Sequence, residues 1–251
     1  MLDVRGVTKT YGPVRALSDI SFTAAGGEVV AIVGDNGAGK STLLKVLSGA
    51  HRPDKGTLSL SGSALDLKNP HDAALAGIEA VYQDLSLVET LDVASNIHLG
   101  HEIPRRGLLG KLGFIDKRAM RQEGRRLLME TLGVDFGSVA RPVEMLSGGQ
   151  RQAVAIARAS GRARTHGNGV VLLDEPTAAL GVAQTKRVAQ LVRSLSANGH
   201  LVIIVSHDLP ACFEIASRLL VMRHGRLIKD IAPKDTNLPT VVGLITGAIA
   251  P

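Results

Sequence analysis

Apolar residues gather along the chain in short unbroken runs rather than in one periodic pattern. Val29-Val30-Ala31-Ile32-Val33 predicts a strand, and Val170-Val171-Leu172-Leu173 and Leu201-Val202-Ile203-Ile204-Val205 predict strands buried on both faces, as in a parallel sheet. Gly77 to Tyr82 reads as a further strand, and Leu219–Met222 with Leu227–Ile231 as a closing hairpin through His224-Gly225. Near the start, Leu2 to Thr8 alternates apolar and polar, Lys9-Thr10-Tyr11-Gly12-Pro13 breaks the pattern, and Ile20 to Ala24 resumes it. With Thr57 to Leu60, after the turn Arg52-Pro53-Asp54-Lys55-Gly56, this suggests a small antiparallel layer. Helical patterns follow Lys40, Asn69-Pro70 with its cap and first-turn proline, and Thr185 to Leu195. From Leu85 to about Arg158 the chain turns helical and densely charged, with Ile115 to Leu132 the longest amphipathic stretch, and Leu238 to Ala248 reads as a short tail helix. The expected organisation is one α/β domain over 1–251, with its core at 1–84 and 159–235, an inserted helical subdomain at 85–158 and a tail at 236–251. The segment Arg164-Thr165-His166-Gly167-Asn168-Gly169 reads as a surface insertion.

Gly34-Asp35-Asn36-Gly37-Ala38-Gly39-Lys40-Ser41-Thr42 joins the first of those strands to the helix after it. The spacing G-x-x-x-x-G-K-S, between strand and helix, is that of a loop whose backbone N–H groups wrap phosphates at the positive end of a helix. Lys40 would reach the β- and γ-phosphates, and Ser41 would offer its hydroxyl to Mg²⁺.

Other polar groups fall at the ends of the apolar runs, where open α/β sheets place their ligand contacts. Gln83 follows the strand at Gly77–Tyr82; taken alone it reads first as a surface residue. Asp174 and Glu175 follow Leu173. Two adjacent carboxylates at a strand end are costly unless a cation and a reaction share them, so Asp174 can hold Mg²⁺ and Glu175 can polarise the attacking water. His207 follows Val205 and could contact the γ-phosphate or hold the water in line. Leu146-Ser147-Gly148-Gly149-Gln150 opens a helix with free N–H groups and makes a second potential phosphate site. Tyr11 lies in a turn, where its ring could cover an adenine face or simply pack beside the turn.

The 251 residues carry 45% hydrophobic content, enough for a sizeable core, and no run approaches the roughly 18 apolar residues of a membrane-spanning helix. A start without a signal-peptide pattern and a single cysteine, Cys212, point to the cytoplasm. The net charge of +6 suits anionic partners such as nucleotides or anionic lipid. Between His101 and Arg126 eight basic residues (Arg105, Arg106, Lys111, Lys117, Arg118, Arg121, Arg125, Arg126) face three acidic ones (Glu102, Asp116, Glu123), an excess of five that reads first as a solvated helix face and second as a binding patch. With no Trp, two Tyr and four Phe, platforms for stacking bases are few, and nucleic acid is not expected as a partner.

Taken together, Tyr11, the 34–42 loop, Gln83, Leu146–Gln150, Val170–Glu175 and His207 resemble the full motif set of an ATP-binding cassette (ABC) transporter ATPase, over essentially the whole chain. The resemblance implies a P-loop NTPase (RecA-like) core with an antiparallel β layer and an inserted α-helical subdomain. It implies ATP and Mg²⁺, held in a head-to-tail homodimer or pseudo-dimer in which Gly34, Asp35, Asn36, Gly37, Ala38, Gly39, Lys40, Ser41 and Thr42 of one subunit meet Ser147, Gly148, Gly149 and Gln150 of the other. By the same resemblance Tyr11 stacks on adenine, Ser41, Gln83 and Asp174 serve Mg²⁺, and Glu175, His207 and Gln83 form the catalytic set. Gly181 departs from the pattern, which usually has Asp there. In detail the 34–41 loop, Val81-Tyr82-Gln83 and Asp174 to Gly181 are similar to ATPases of bacterial monosaccharide importers of the fructose and ribose type. The implied partners are two membrane permease subunits and, through the complex, an external sugar-binding protein, with this chain peripheral on the cytoplasmic face of the inner membrane. A cassette for amino-acid import or for export, or a soluble cassette acting on nucleic acid or ribosomes, is the alternative.

Overall fold

A computed structural model describes residues 1–131, 137–163, 169–178 and 180–250. The expected surface insertion at 164–168, Leu132 at the end of the amphipathic stretch, and Ala179 lie outside the described residues. Among the described residues two sheets form. β1 (Leu2–Tyr11), β2 (Val14–Ala24), β4 (Lys55–Leu60) and β5 (Ser63–Leu65) make an antiparallel sheet in the order β2-β1-β4-β5. β3 (Val29–Gly34), β6 (Ile78–Val81), β7 (Val170–Asp174), β8 (Leu201–Val205), β9 (Arg218–Arg223) and β10 (Arg226–Ile231) make a second sheet in the order β10-β9-β3-β8-β7-β6. All of its pairings are parallel except β9 with β10.

The continuous apolar runs occupy its centre. Every residue of β3 and β8 is buried, because both faces of the sheet are covered. One face packs with α1 (Lys40–Leu47) and the antiparallel layer around Leu17, Ile20, Leu44, Ile32 and Leu172. The other packs against α6 (Gly148–Ala163) and α7 (Val182–Ala197) through Ile156, Leu173, Val192 and Ile204. A third cluster seats α8 (Leu209–Ile215) and α9 (Leu238–Thr246) on Ala31, Val33 and Val221. It encloses Cys212, whose thiol burial pushes up to about 12, so the lone cysteine is a packing residue and no nucleophile.

Short polar side chains start the helices. Asn69 accepts from Asp72 N ahead of α2 (Pro70–Leu75), as its Asn-Pro sequence predicts, and Asp92 accepts from Ser95 N ahead of α3 (Val93–Ile97). The amphipathic stretch that was expected to begin at Ile115 starts later. Asp116 caps α5 (Lys117–Arg126) by accepting from Ala119 N, which leaves Ile115 in a bridge with Pro104. A one-turn helix, α4 (Leu108–Lys111), lies between the two bridged residues, and a π-turn over Leu127–Thr131 follows α5.

Leu172 sits at the middle of β7, fully buried between the two layers. Leu172→Ala is expected to cost about 2–5 kcal/mol of stability, as deletion of a fully buried leucine side chain does. Equilibrium denaturation checks this; an unchanged midpoint would contradict the placement of β7 in the core.

Candidate functional site

The parallel strands deliver their carboxyl ends to one edge of the sheet. There the structure has a cleft of about 780 Å³, lined by Val14, Arg15, Ala16, Asn36, Gly37, Gly39, Lys40, Ser41, Thr42, Gln83, Asp174, Glu175, Ala178, His207, His224 and Gly225. Of the expected residues, Asn36, Gly37, Gly39, Lys40, Ser41 and Thr42 of the phosphate loop come together on this cleft with Gln83, Asp174, Glu175 and His207, while Ala38 packs into the core.

Gly39 is the N-cap of α1, with φ of +100°, and a Cβ there would lie 2.5 Å from the Ala16 carbonyl oxygen, so only glycine fits the turn. No side chain caps α1, and its first-turn N–H groups have no intrahelical acceptor. They face the cleft together with the positive end of the helix dipole. Lys40 folds back over the loop: its Nζ donates to the carbonyls of Gly34 (2.9 Å) and Asp35 (3.0 Å), and the residue is only 8% exposed. Asp35 closes the loop by accepting from Asn36 N at 2.7 Å through its carboxylate and from Ala38 N at 3.1 Å through its carbonyl.

The two carboxylates occupy different settings. Asp174 Oδ1 is buried without a hydrogen-bond partner, and burial, helped by the neighbouring Glu175 charge, raises its pKa above the ordinary carboxylate value against the pull of Lys45 and Lys40. Glu175 turns out of the strand at φ +48°, an uncommon conformation for a residue with a side chain. Its N–H is held by the Val205 carbonyl at 2.9 Å, and its Oε2 lies 2.8 Å from His207 Nδ1. His207 is largely solvent-exposed while Glu175 is mostly covered, so the imidazole stands at the mouth and the carboxylate further in.

Other expected residues lie apart. Tyr11, at the end of β1, is exposed and set edge-on to His51 at 5.6 Å, with Lys9 Nζ 5.6 Å from its ring centre; it is not part of the cleft wall. Ser147, Gly148, Gly149 and Gln150 are outside the cleft too. Ser147 and Gln150 cap α6 reciprocally: Ser147 N donates to Gln150 Oε1 at 3.0 Å and Gln150 N to Ser147 Oγ at 3.4 Å. Ser147 and Gly148 are exposed, and the helix start rests on Leu180 and Gln184. Gly181 is the N-cap of α7 and offers no side chain to cap it. Sequence reasoning passed over Val14, Arg15, Ala16 and His224. His224 follows β9 as His207 follows β8, so the position after a parallel strand was the signal that could have found it.

A strand–glycine-loop–helix unit feeding a parallel sheet, with Gln, Asp-Glu and His at neighbouring strand ends, defines a P-loop nucleoside triphosphatase. The chain belongs to the ABC transporter family, as an ATPase subunit: the family model described as "ABC transporter" matches residues 17–178. It is 42% identical to the "Fructose import ATP-binding protein FrcA" of Rhizobium meliloti over 252 aligned residues, covering 100% of this chain and 95% of that one. It is 39% identical to the "Xylose/arabinose import ATP-binding protein XylG" of Sulfolobus acidocaldarius, covering 98% and 94%. Against the "Ribose import ATP-binding protein RbsA 1" of Rubrobacter xylanophilus it is 40% identical over 98% of this chain, which spans 47% of that protein. Among solved structures, the ADP conformation of MJ1267, an ATP-binding cassette of an ABC transporter, superimposes with a TM-score of 0.82 at 27% identity, covering 98% of each chain. The dimeric structure of MJ0796, a bacterial ABC transporter cassette, superimposes with a TM-score of 0.73 at 25% identity, covering 93% and 99%.

The raised pKa of Asp174 has a consequence for the nucleotide-free protein. The folded state holds this proton more tightly than the unfolded chain, whose ordinary value is 3.8, so stability falls as pH rises from 3.8 through the folded value, and the full penalty is present above it. Asp174→Asn is therefore expected to raise the melting temperature at neutral pH by about 1–3 °C and to lose that advantage near pH 3–4. Thermal melts of both forms across pH test this; an equal gain at every pH would remove the carboxylate charge as the cause.

Proposed function

We propose that this chain binds and hydrolyses ATP in the cleft and couples closure of a cassette dimer to uptake of a monosaccharide through partner permease subunits. The observation that carries the reading is the convergence of Lys40 and the loop, Asp174, and the closely approaching Glu175–His207 pair on one cleft. Here the helix dipole, the loop N–H groups and Lys40 bind the triphosphate, with Lys40 exchanging its two carbonyl acceptors for phosphate oxygens. Asp174, with its unpartnered buried oxygen, fits a divalent cation, and Ser41 and Gln83 line the same wall. When bound, Mg²⁺ would neutralise charge on the phosphates. Glu175 takes the proton of the attacking water, and His207, whose backbone N–H donates to Glu175 Oε2 and whose Nδ1 lies 2.8 Å from it, holds the carboxylate in orientation. Tyr11 covers the adenine beside the cleft.

Ser147 and Gly148 face solvent rather than this cleft, which supports their serving the nucleotide of a second copy and completing its closure. The absence of an acidic side chain at Gly181 weakens one contact across that dimer. For permease docking, the groove of about 410 Å³ between α2 and β6 on the core side and α5 and α6 on the lobe side supports a segment that touches both. The cargo rests on the names of the fructose, xylose/arabinose and ribose relatives. A peripheral position at the membrane rests on the same names of import relatives; no helix among the described residues is long and apolar enough to cross a membrane.

Glu175→Gln is expected to keep ATP binding and lose turnover by about 10²–10⁴-fold, whereas Lys40→Ala weakens nucleotide binding itself. Single-turnover hydrolysis and fluorescent-nucleotide titration separate the two, and turnover at the wild-type rate in Glu175→Gln would sink the assignment. With permease subunits and a sugar-loaded binding protein reconstituted, ATPase activity should rise with the sugar; activity indifferent to it would overturn the import reading while leaving the hydrolase intact.

A further inference from the structure

The segment from Ile103 to Asp116 is fixed by its own backbone, and among the described residues none buries it. Arg105 N donates to the Phe114 carbonyl at 2.8 Å and Asp116 N to the Ile103 carbonyl at 2.7 Å, closing a stem around the Pro104–Ile115 bridge. Above the stem α4 makes its single turn, tied off by Phe114 N to the Leu109 carbonyl at 3.0 Å. A Cβ on Gly110 would fall 1.8 Å from the Arg105 carbonyl oxygen, so the turn rests directly on the stem. Compact loops usually pack their own apolar side chains. This one displays them: Leu108 is 73% exposed, Leu112 65%, Phe114 55% and Leu109 46%, and no residue from Leu99 to Ala119 is buried.

The charge around this tip is predominantly positive. Arg105, Arg106, Lys111, Lys117 and Arg118 make no ion pair among the described residues. The two nearby carboxylates are engaged with backbone, Glu102 accepting from Gly100 N and Asp116 from Ala119 N. Leucine and phenylalanine ringed by lysine and arginine is the chemistry of an interfacial anchor, whose apolar groups enter the acyl boundary while its cations meet anionic headgroups. Leu108 and Leu112 lie on one side of the turn and Leu109 on another. A fluid surface accommodates such a knob from all sides, where a protein would need a deep socket, and the excess of positive charge favours an anionic counter-surface.

We propose that the 103–118 protrusion is a lipid-binding element that seats this chain on an anionic bilayer surface. The proposal goes beyond the transport reading and does not depend on it, because it concerns the chain without any permease.

The test is co-sedimentation of the purified full-length chain with phosphatidylcholine vesicles, with and without about 30% phosphatidylglycerol. The expected result is binding to the anionic vesicles, at least about tenfold above the neutral ones and weakened by salt. Leu108→Ser/Leu112→Ser/Phe114→Ser and Arg105→Ser/Arg106→Ser/Lys111→Ser should each reduce it about tenfold or more. Nucleotide binding should persist in both triple variants, since none of these side chains lines the cleft, and that persistence reports that the variants are folded. Absence of wild-type binding, or binding that both variants retain, would overturn the proposal. So would tip-dependent capture by detergent-solubilised permease subunits without vesicle binding, which would assign the protrusion to a protein partner.

Discussion

The parallel register of the large sheet is the constraint on which the site depends. Ile32 pairs with Val205, Val205 with Asp174, and Leu173 with Val81, so these strands end on nearly one line. Gly34 lies two residues past Ile32, Glu175 one past Asp174, His207 two past Val205 and Gln83 two past Val81. Each therefore emerges at the same edge, at about the same height. A shift of one residue in any strand would turn its buried side chains to the other face and carry its polar end out of line. The unbroken apolar runs secure the register by burying both faces, and the polar tips inherit their alignment from that burial.

The same edge is where the structure tolerates unfavourable groups. Glu175 is held at a positive φ, and Asp174 keeps an unpartnered buried oxygen beside a second carboxylate. Such features persist where the surroundings over-determine them. Here the Val205 carbonyl pins the Glu175 N–H, and Ala178 N closes the turn back to the Glu175 carbonyl at 3.0 Å. In the proposed function, an anion carrying a cation would relieve both the unpartnered oxygen of Asp174 and the uncapped start of α1, and so would link nucleotide binding to the stability of this edge.

The core of this arrangement was readable in the residues because it obeys one-dimensional rules. Val29–Val33, Val170–Leu173 and Leu201–Val205 are strands where continuous apolarity says they should be, and the glycine loop sits between strand and helix as its spacing requires. Residues placed by tertiary packing were less legible. Val14 and Arg15 reach the cleft because β2 folds back beside Gly39, and the Gly225 N–H bonds to the Ala38 carbonyl at 3.0 Å, which brings the β9–β10 turn and His224 to the loop. Neither contact leaves a periodicity in the sequence. The basic stretch after His101 misled differently: its residues suit a helix face, but the Asp116 cap restricts the helix to its second half, and the first half becomes a protruding loop.

The inserted lobe is bound to the cleft by a specific strap. Beyond Gln83 the chain leaves the sheet, and Arg158 of α6 holds it by donating to the carbonyls of Leu85 at 2.8 Å and Ser86 at 2.9 Å. Arg158 lies on the same helix that Ser147 and Gln150 cap. Any rotation of α6 relative to the sheet therefore pulls on the segment that positions Gln83 and, at its other end, swings the exposed Ser147–Gly148 start. The groove between α2 and α5 lies against this helix, through Arg158 and Gly161. A force applied there has a short covalent and hydrogen-bonded route to the cleft, and a change in the cleft has the same route outward. In the proposed dimer, this is how occupancy of one nucleotide site and the posture of a docked permease would bias each other, through α6 and the strap that Arg158 ties.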